Sequence, residues 1–404
     1  MEREGFTESM AEKKIPITRV EFTDEELDSV RKALTSGQVA QGPFVEEFER
    51  KWRAFNGSRH AIATSSCTSA LHLSLAALGV GPGDEVILPA FTWVATANCV
   101  EILGAKPVFC DIDLRTFNID VSLIEGLITE STKAVIPVHL FGLPADMKPV
   151  MAAAAGRDLI VVEDAACGFG ARYGGASVGN FGRAGCFSFH PRKAITTGEG
   201  GMIVTADDAL AQKLRSLRDH GAVMSKEQQR SGPKPWLMPD FPRVGFNFRL
   251  TDIQAAIGSA QMDRAVRILE RRAELAARYD EALKGVEWLA LPHCPQSRSH
   301  GYQSYVCLMR PEAITARNVV RLKGMRNALM DFLQKKGIAT RPGTHAVHLL
   351  GYYAEKYDLT PQGFEQAWFA DSCSVALPLF ASLRDDELDY IVSTIKSYSQ
   401  RMQA

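Results

Sequence analysis

Apolar positions recur at helical spacing over residues 24–35 and 43–55, and the turn residues Ser36-Gly37 and Gly42-Pro43 separate the two stretches. From residue 61 the pattern alternates. Short apolar runs at 61–63, 85–88, 107–110, 134–138 and 159–162 predict strands. Between them, 69–78, 92–102, 121–128 and 147–155 carry helical spacing. Repeated βα units of this length predict an α/β fold, a mostly parallel sheet of the seven-stranded type flanked by helices on both faces. In such sheets ligands collect beyond the carboxyl ends of the strands. Residues 251–284 predict one long helix or two consecutive ones, with Thr251 as the N-cap. The style then changes: 302–309 and 374–377 are strand-like, 323–336 and 384–398 helical. The expected organisation is a flexible lead-in over 1–15, a large domain over 16–264 and a smaller α+β domain over 265–404.

Length and charge narrow the function classes. With 404 residues the chain has room for two or three domain-sized units. A net charge of −1 gives no electrostatic case for nucleic acid or an anionic membrane. No apolar run approaches the roughly 20 residues of a membrane span. The polar N-terminus lacks the apolar core of a secretory signal. Eight cysteines occur with no C-x-x-C pair, which reads as reduced thiols in a cytoplasmic protein and not as disulfides or metal ligands.

Candidate chemistry centres on Lys193. A strand-like run at 185–189 delivers it into a turn-rich segment with Gly198, Gly200 and Gly201. Such a segment suits an amine that must reach one fixed point better than a solubilising lysine. Upstream, the apolar run 159–162 ends in Glu163-Asp164, 29 positions before the lysine, and Ser188 lies five before it. This constellation suggests a pyridoxal phosphate enzyme. That chemistry needs a lysine, an acid to keep the pyridine nitrogen protonated, a stacking ring and donors for a phosphate. Asp164 supplies the acid; alone it would read as a helix N-cap before Ala165-Ala166. Ser65 to Leu71 open a helix with hydroxyl residues, which serve equally as N-caps or as a phosphate site. Ser188 is a second phosphate donor. Trp93, after a strand, reads as a stacking ring or as a core tryptophan. Gly245 to Leu250 alternate polar Asn247 and Arg249 with aromatics, and taken alone they fit a packed loop as well as a site.

The runs SFHPRKAITTGEGGM, VVEDAACGFGA, GVGPGDEVILPAFTWVATANCV, FCDIDLRTFNID, VHLFGLPADM and GFNFRLTDIQAAIGSAQ together resemble the nucleotide-sugar aminotransferases, pyridoxal phosphate enzymes of fold type I. The resemblance runs from about residue 16 to the end, TRPGTHAVHLLGYY and ALPLF included. It implies a homodimer with active sites at the subunit interface. It implies transfer of an amino group from glutamate or glutamine to a keto group of a nucleotide-linked deoxysugar. By the same resemblance Lys193 is the Schiff-base lysine and Asp164 the pyridinium partner. Trp93 stacks on the ring, Thr68, Ser69 and Ser188 hold the phosphate, and Asn247 reaches the neighbouring subunit's cofactor. Arg249 and His345 are expected to meet substrate.

The chain departs from the family's pattern at two positions. Cys67 stands where the family has Gly before the phosphate-binding Thr. Cys167 stands where it has Gln or His against the cofactor's phenolic oxygen, and a thiol is a weak donor there. The polar, proline-rich segment 223–242 is expected to form a flap over the substrate. Three other readings compete: a sugar dehydratase, against which Lys193 counts because such relatives carry His there; a scaffold protein with a decayed site, against which intact Lys193, Asp164, Ser188 and Asn247 count; and an aminotransferase acting on a keto-cyclitol.

Overall fold

Seven strands form the largest sheet: β1 (His60–Thr64), β2 (Glu85–Pro89), β3 (Lys106–Cys110), β4 (Thr132–Val135), β5 (Ile160–Asp164), β6 (Ala184–Ser188) and β7 (Gly201–Thr205). Their spatial order is β1-β7-β6-β5-β4-β2-β3. Only β7 runs antiparallel to its neighbours; the other six strands are parallel. The computed structural model describes residues 14–232 and 234–402, so most of the expected lead-in lies outside the described residues.

Both faces of the sheet are covered, which is why its strands read as continuous apolar runs. After α1 (Asp24–Thr35) comes α2 (Pro43–Asn56), whose Phe48 and Trp52 pack with Met202 and Val204 of β7. Ile203 points the other way, into the cluster that holds Leu71 of α3 (Cys67–Ala77). Among the described residues no helix is long and apolar enough to cross a membrane, and no cluster of His, Cys, Asp or Glu is arranged to hold a metal.

The mostly parallel sheet is as the pattern predicts; several boundaries differ. The helix expected over 92–102 begins only at Ala95. Phe91–Thr92 instead pairs antiparallel with His345–Ala346 far along the chain, so a tertiary partner takes the backbone that a helix would have used. The strand expected over 134–138 stops at Val135, because Pro137 has no N–H to give a neighbour. Residues 121–128 form a 3-10 turn and one short α turn, with Gly126 weakening the helix. The stretch 251–284 is two helices, Asp252–Asp263 and Ala265–Leu283, broken at Arg264. Thr251 caps the first, accepting from the Gln254 N–H at 3.2 Å. The strand β7 was hidden by its glycine-rich approach.

The smaller sheet has order β8-β9-β10, built from β8 (Leu289–Ala290), β9 (Tyr305–Met309) and β10 (Ser374–Leu377). Leu275, Tyr279, Tyr305, Leu329 and Ile391 form its core. Helix Ala265–Leu283 belongs to both units: Ala265 packs with the Phe48 and Trp52 cluster, Leu275 and Tyr279 with the smaller sheet. Ile15, expected in the flexible lead-in, is buried in that same core, and its N–H donates to the Gly337 carbonyl at 2.8 Å.

The segment 223–242 holds a short helix, Lys226–Ser231, and its ends are tied by paired Val223–Asp240 backbone bonds of 2.8 and 3.0 Å. None of its described residues lines the cavity that holds Asp164 and Lys193, so within one chain it is not a flap over that cavity.

Candidate active site

Sheet topology brings distant segments to one edge. β5 and β6 are parallel with Asp164 opposite Cys186, so Asp164 ends its strand two positions short of Ser188 at the end of β6. Gly201, the first residue of β7, pairs with Ser188 on one side and Thr64 on the other. The start of α3, just after β1, therefore lies beside Ser188. A Cβ at Gly201 would collide with the Ser66 carbonyl, and only glycine lets β7 begin beneath the first turn of α3.

These segments surround a cavity of about 450 Å³. Lys193, Asp164, Cys167, Ser188, Thr68, Trp93 and His345 all line it. The Lys193 Nζ donates to Cys167 Sγ at 3.2 Å. Asp164 is 4 % exposed. Its Oδ2 accepts from the Thr96 hydroxyl at 2.7 Å and its Oδ1 from the Ala166 N–H at 3.0 Å. The Ala166 contact is the capping role expected of this acid, except that it caps a turn and not a helix. Trp93 is 55 % exposed and tilts against the His345 ring at 5.6 Å, so it is not a core tryptophan.

Three expected site residues lie elsewhere. Ser69 is buried, and its hydroxyl is held by those of Ser65 and Ser66 at 3.0 and 2.9 Å. Asn247 is exposed and does not line the cavity of its own chain. Arg249 is also outside it, its guanidinium bonded to Asp219.

Several lining residues were not singled out from the sequence. Thr96 is one, its hydroxyl donating to Asp164. His190, Arg192, Glu199 and Arg341 also face the cavity. Burial, above all, pushes the His190 imidazole below its ordinary value. Partial burial, and then the charge of Arg341, do the same to the Arg192 guanidinium.

The donor set fits a phosphorylated pyridine. A buried carboxylate keeps free lone pairs toward the cavity, and an exposed tryptophan flanks it. The first N–H groups of α3, with no acceptor inside the helix, sit with the Thr68 and Ser188 hydroxyls where an anion is favoured. An amine stands within the same space.

Sheet, cavity and donor set define a pyridoxal phosphate enzyme of fold type I. The solved structure of a putative sugar aminotransferase, Spr1654 from Streptococcus pneumoniae, superposes in its PLP form with a TM-score of 0.87 at 29 % identity, covering 96 % of this chain and 99 % of that one. Helicobacter pylori PseC, an aminotransferase involved in pseudoaminic acid biosynthesis, gives 0.86 at 28 % identity, covering 95 % and 99 %. GDP-perosamine synthase of Caulobacter vibrioides is 37 % identical over 387 residues, 95 % of this chain and 97 % of that protein. Residues 20–396 match the DegT/DnrJ/EryC1/StrS aminotransferase family, and the chain belongs to that family. It is an aminotransferase whose cofactor is pyridoxal phosphate.

Proposed function

We propose that the enzyme moves the amino group of glutamate, or of glutamine, to a keto carbon of a nucleotide-linked deoxysugar. The observation that carries this reading is the Lys193 amine in one cavity with the buried carboxylate of Asp164. Pyridoxal phosphate, when bound, supplies the electron sink for the carbon that loses its proton. The chain does the rest. Lys193 Nζ would anchor the cofactor and, once freed, would carry the proton that leaves the donor carbon. Asp164, steadied by Thr96, would keep a proton on the ring nitrogen. Thr68, Ser188 and the first turn of α3 would hold the phosphate, Trp93 would stack on the ring, and His345 beside Trp93 would meet the substrate. Ser69 acts through the N-cap, accepting no ligand itself. Cys167, beside the Lys193 amine, would face the cofactor.

Asn247 fits a shared site in a homodimer. It is exposed and outside its own cavity, next to apolar residues left in solvent, among them Val244 at 88 % exposure. Such a loop suits contact with the partner subunit's cofactor. Arg249, bonded to Asp219, would orient that loop. The unpaired thiols fit a cytoplasmic enzyme.

The test is a turnover panel. Glutamate should bleach the yellow holoenzyme and release 2-oxoglutarate, and a 3-keto or 4-keto nucleotide sugar should restore the colour and gain an amine. Loss of a sugar hydroxyl without 2-oxoglutarate would replace this reading with a dehydratase.

A further inference from the structure

Arg192 and Arg341 face the same cavity from opposite parts of the fold. Their backbones are pinned. The Arg192 N–H donates to His190 Nδ1 at 3.2 Å, and its carbonyl accepts from Gln303 Nε2 at 3.1 Å. Arg341 pairs with Ala376 of β10, whose N–H donates to the Arg341 carbonyl at 2.7 Å. Their guanidinium groups are not pinned. Among the described residues neither one bonds a carboxylate, although Glu199 lines the same cavity. Arg249 makes the contrast, since its charge is already matched by Asp219. Two like charges brought together at a partly desolvated rim are unfavourable until an anion joins them.

We propose that Arg192 and Arg341 form the subsite for the carboxylates of a dicarboxylic amino donor, and that this pair selects an acidic donor. Position argues for the donor over the diphosphate of the acceptor. Arg192 is the neighbour of Lys193, with Cα atoms about 3.8 Å apart. The donor nitrogen must replace the lysine nitrogen, so its carboxylates lie within a few bonds of that point. The diphosphate lies beyond a whole sugar ring. A planar guanidinium also matches a carboxylate through two parallel bonds. Because Arg341 is bridged to β10 of the smaller sheet and Arg192 follows β6, a bound dicarboxylate would join the two parts of the fold.

The proposal rests on the donor reading above, and glutarate, which has no amine to transfer, separates the two. Wild-type, Arg192→Gln and Arg341→Gln holoenzymes are titrated calorimetrically with glutarate after a check of melting temperature and cofactor absorbance. Glutarate should bind about tenfold or more weaker in each variant, the glutamate concentration that half-bleaches the enzyme should rise in parallel, and the acceptor KM should stay within about twofold. Arg341→Lys, which keeps charge but loses the fork, should recover part of the loss. Unchanged glutarate binding in both variants overturns the proposal, as does a wild-type enzyme that binds no glutarate. A rise confined to the acceptor KM overturns it too and assigns the pair to the diphosphate. A wild type that binds glutarate through both arginines yet takes no amino group from glutamate keeps the subsite and removes only the donor reading.

Discussion

Glu163 and Asp164 are adjacent acids at the end of β5, both buried, and they face opposite sides of the sheet. Glu163 is saturated. Its Oε1 accepts from the Phe181 and Gly182 N–H groups at 2.7 and 2.8 Å, and its Oε2 from Gly179 N–H at 2.6 Å and His139 Nε2 at 2.9 Å. His139 Nδ1 accepts from the Ala145 N–H, so Nε2 carries the hydrogen it gives to Glu163. Asp164 has one bond to each oxygen and an open cavity beyond. Two neighbours of nearly the same chemistry thus differ in what is left unmet: nothing on the structural side, lone pairs on the side where a ligand would come.

Substitutions can break that contrast. The largest effect is expected on the cavity side. Lys193→Ala and Asp164→Asn should each lower kcat/KM by about a thousandfold with little change in melting temperature. An Asp164→Asn enzyme with near-normal turnover would erase the distinction. Across the sheet, Glu163→Ala should cost about 3–5 kcal/mol of stability in denaturant melts, because three backbone N–H groups and an imidazole lose their acceptor. The folded remainder should turn over normally. Thr96→Val sharpens the comparison: it removes one bond to Asp164 without changing shape, and should lower kcat about tenfold for about 1 kcal/mol of stability.

The smallest effect tests an acid far from the cavity. Burial pushes the Glu26 carboxyl up, but the Thr23 bonds and the Arg264 guanidinium outweigh it and hold it below the usual range. A depressed folded value means its contribution is complete at neutral pH and is lost as pH falls through that value. Glu26→Gln should therefore cost about 1 kcal/mol at pH 7, and the gap to wild type should close below about pH 4.3 in thermal melts.

What could be read along the chain was local. Lys193 and Asp164 stood out because each follows a short apolar run and precedes small residues. The parallel sheet was legible for the same reason. Contacts between distant segments were not. Thr96 meets Asp164 across 68 positions, and Arg341 reaches the cavity only because 341–346 fold back beside Trp93. Ser69 was misplaced by two residues of helix boundary: α3 starts at Cys67, which turns Ser69 into the capping cluster and leaves Thr68 at the cavity. Arg249 has its partner 30 positions upstream, a match that spacing alone does not announce.

The cysteines give the site a built-in reporter. Six of the eight are buried, and burial pushes the Cys67 thiol, the other one at the cavity, well above its ordinary value. Cys294, half-buried and away from the cavity, is also pushed up by burial. Cys167 lines the cavity and is only partly buried, so a mild alkylating reagent has a well-placed target there, 3.2 Å from the Lys193 amine. The pace at which that sulfur is labelled would report, without any turnover, whether the space beside Lys193 is filled.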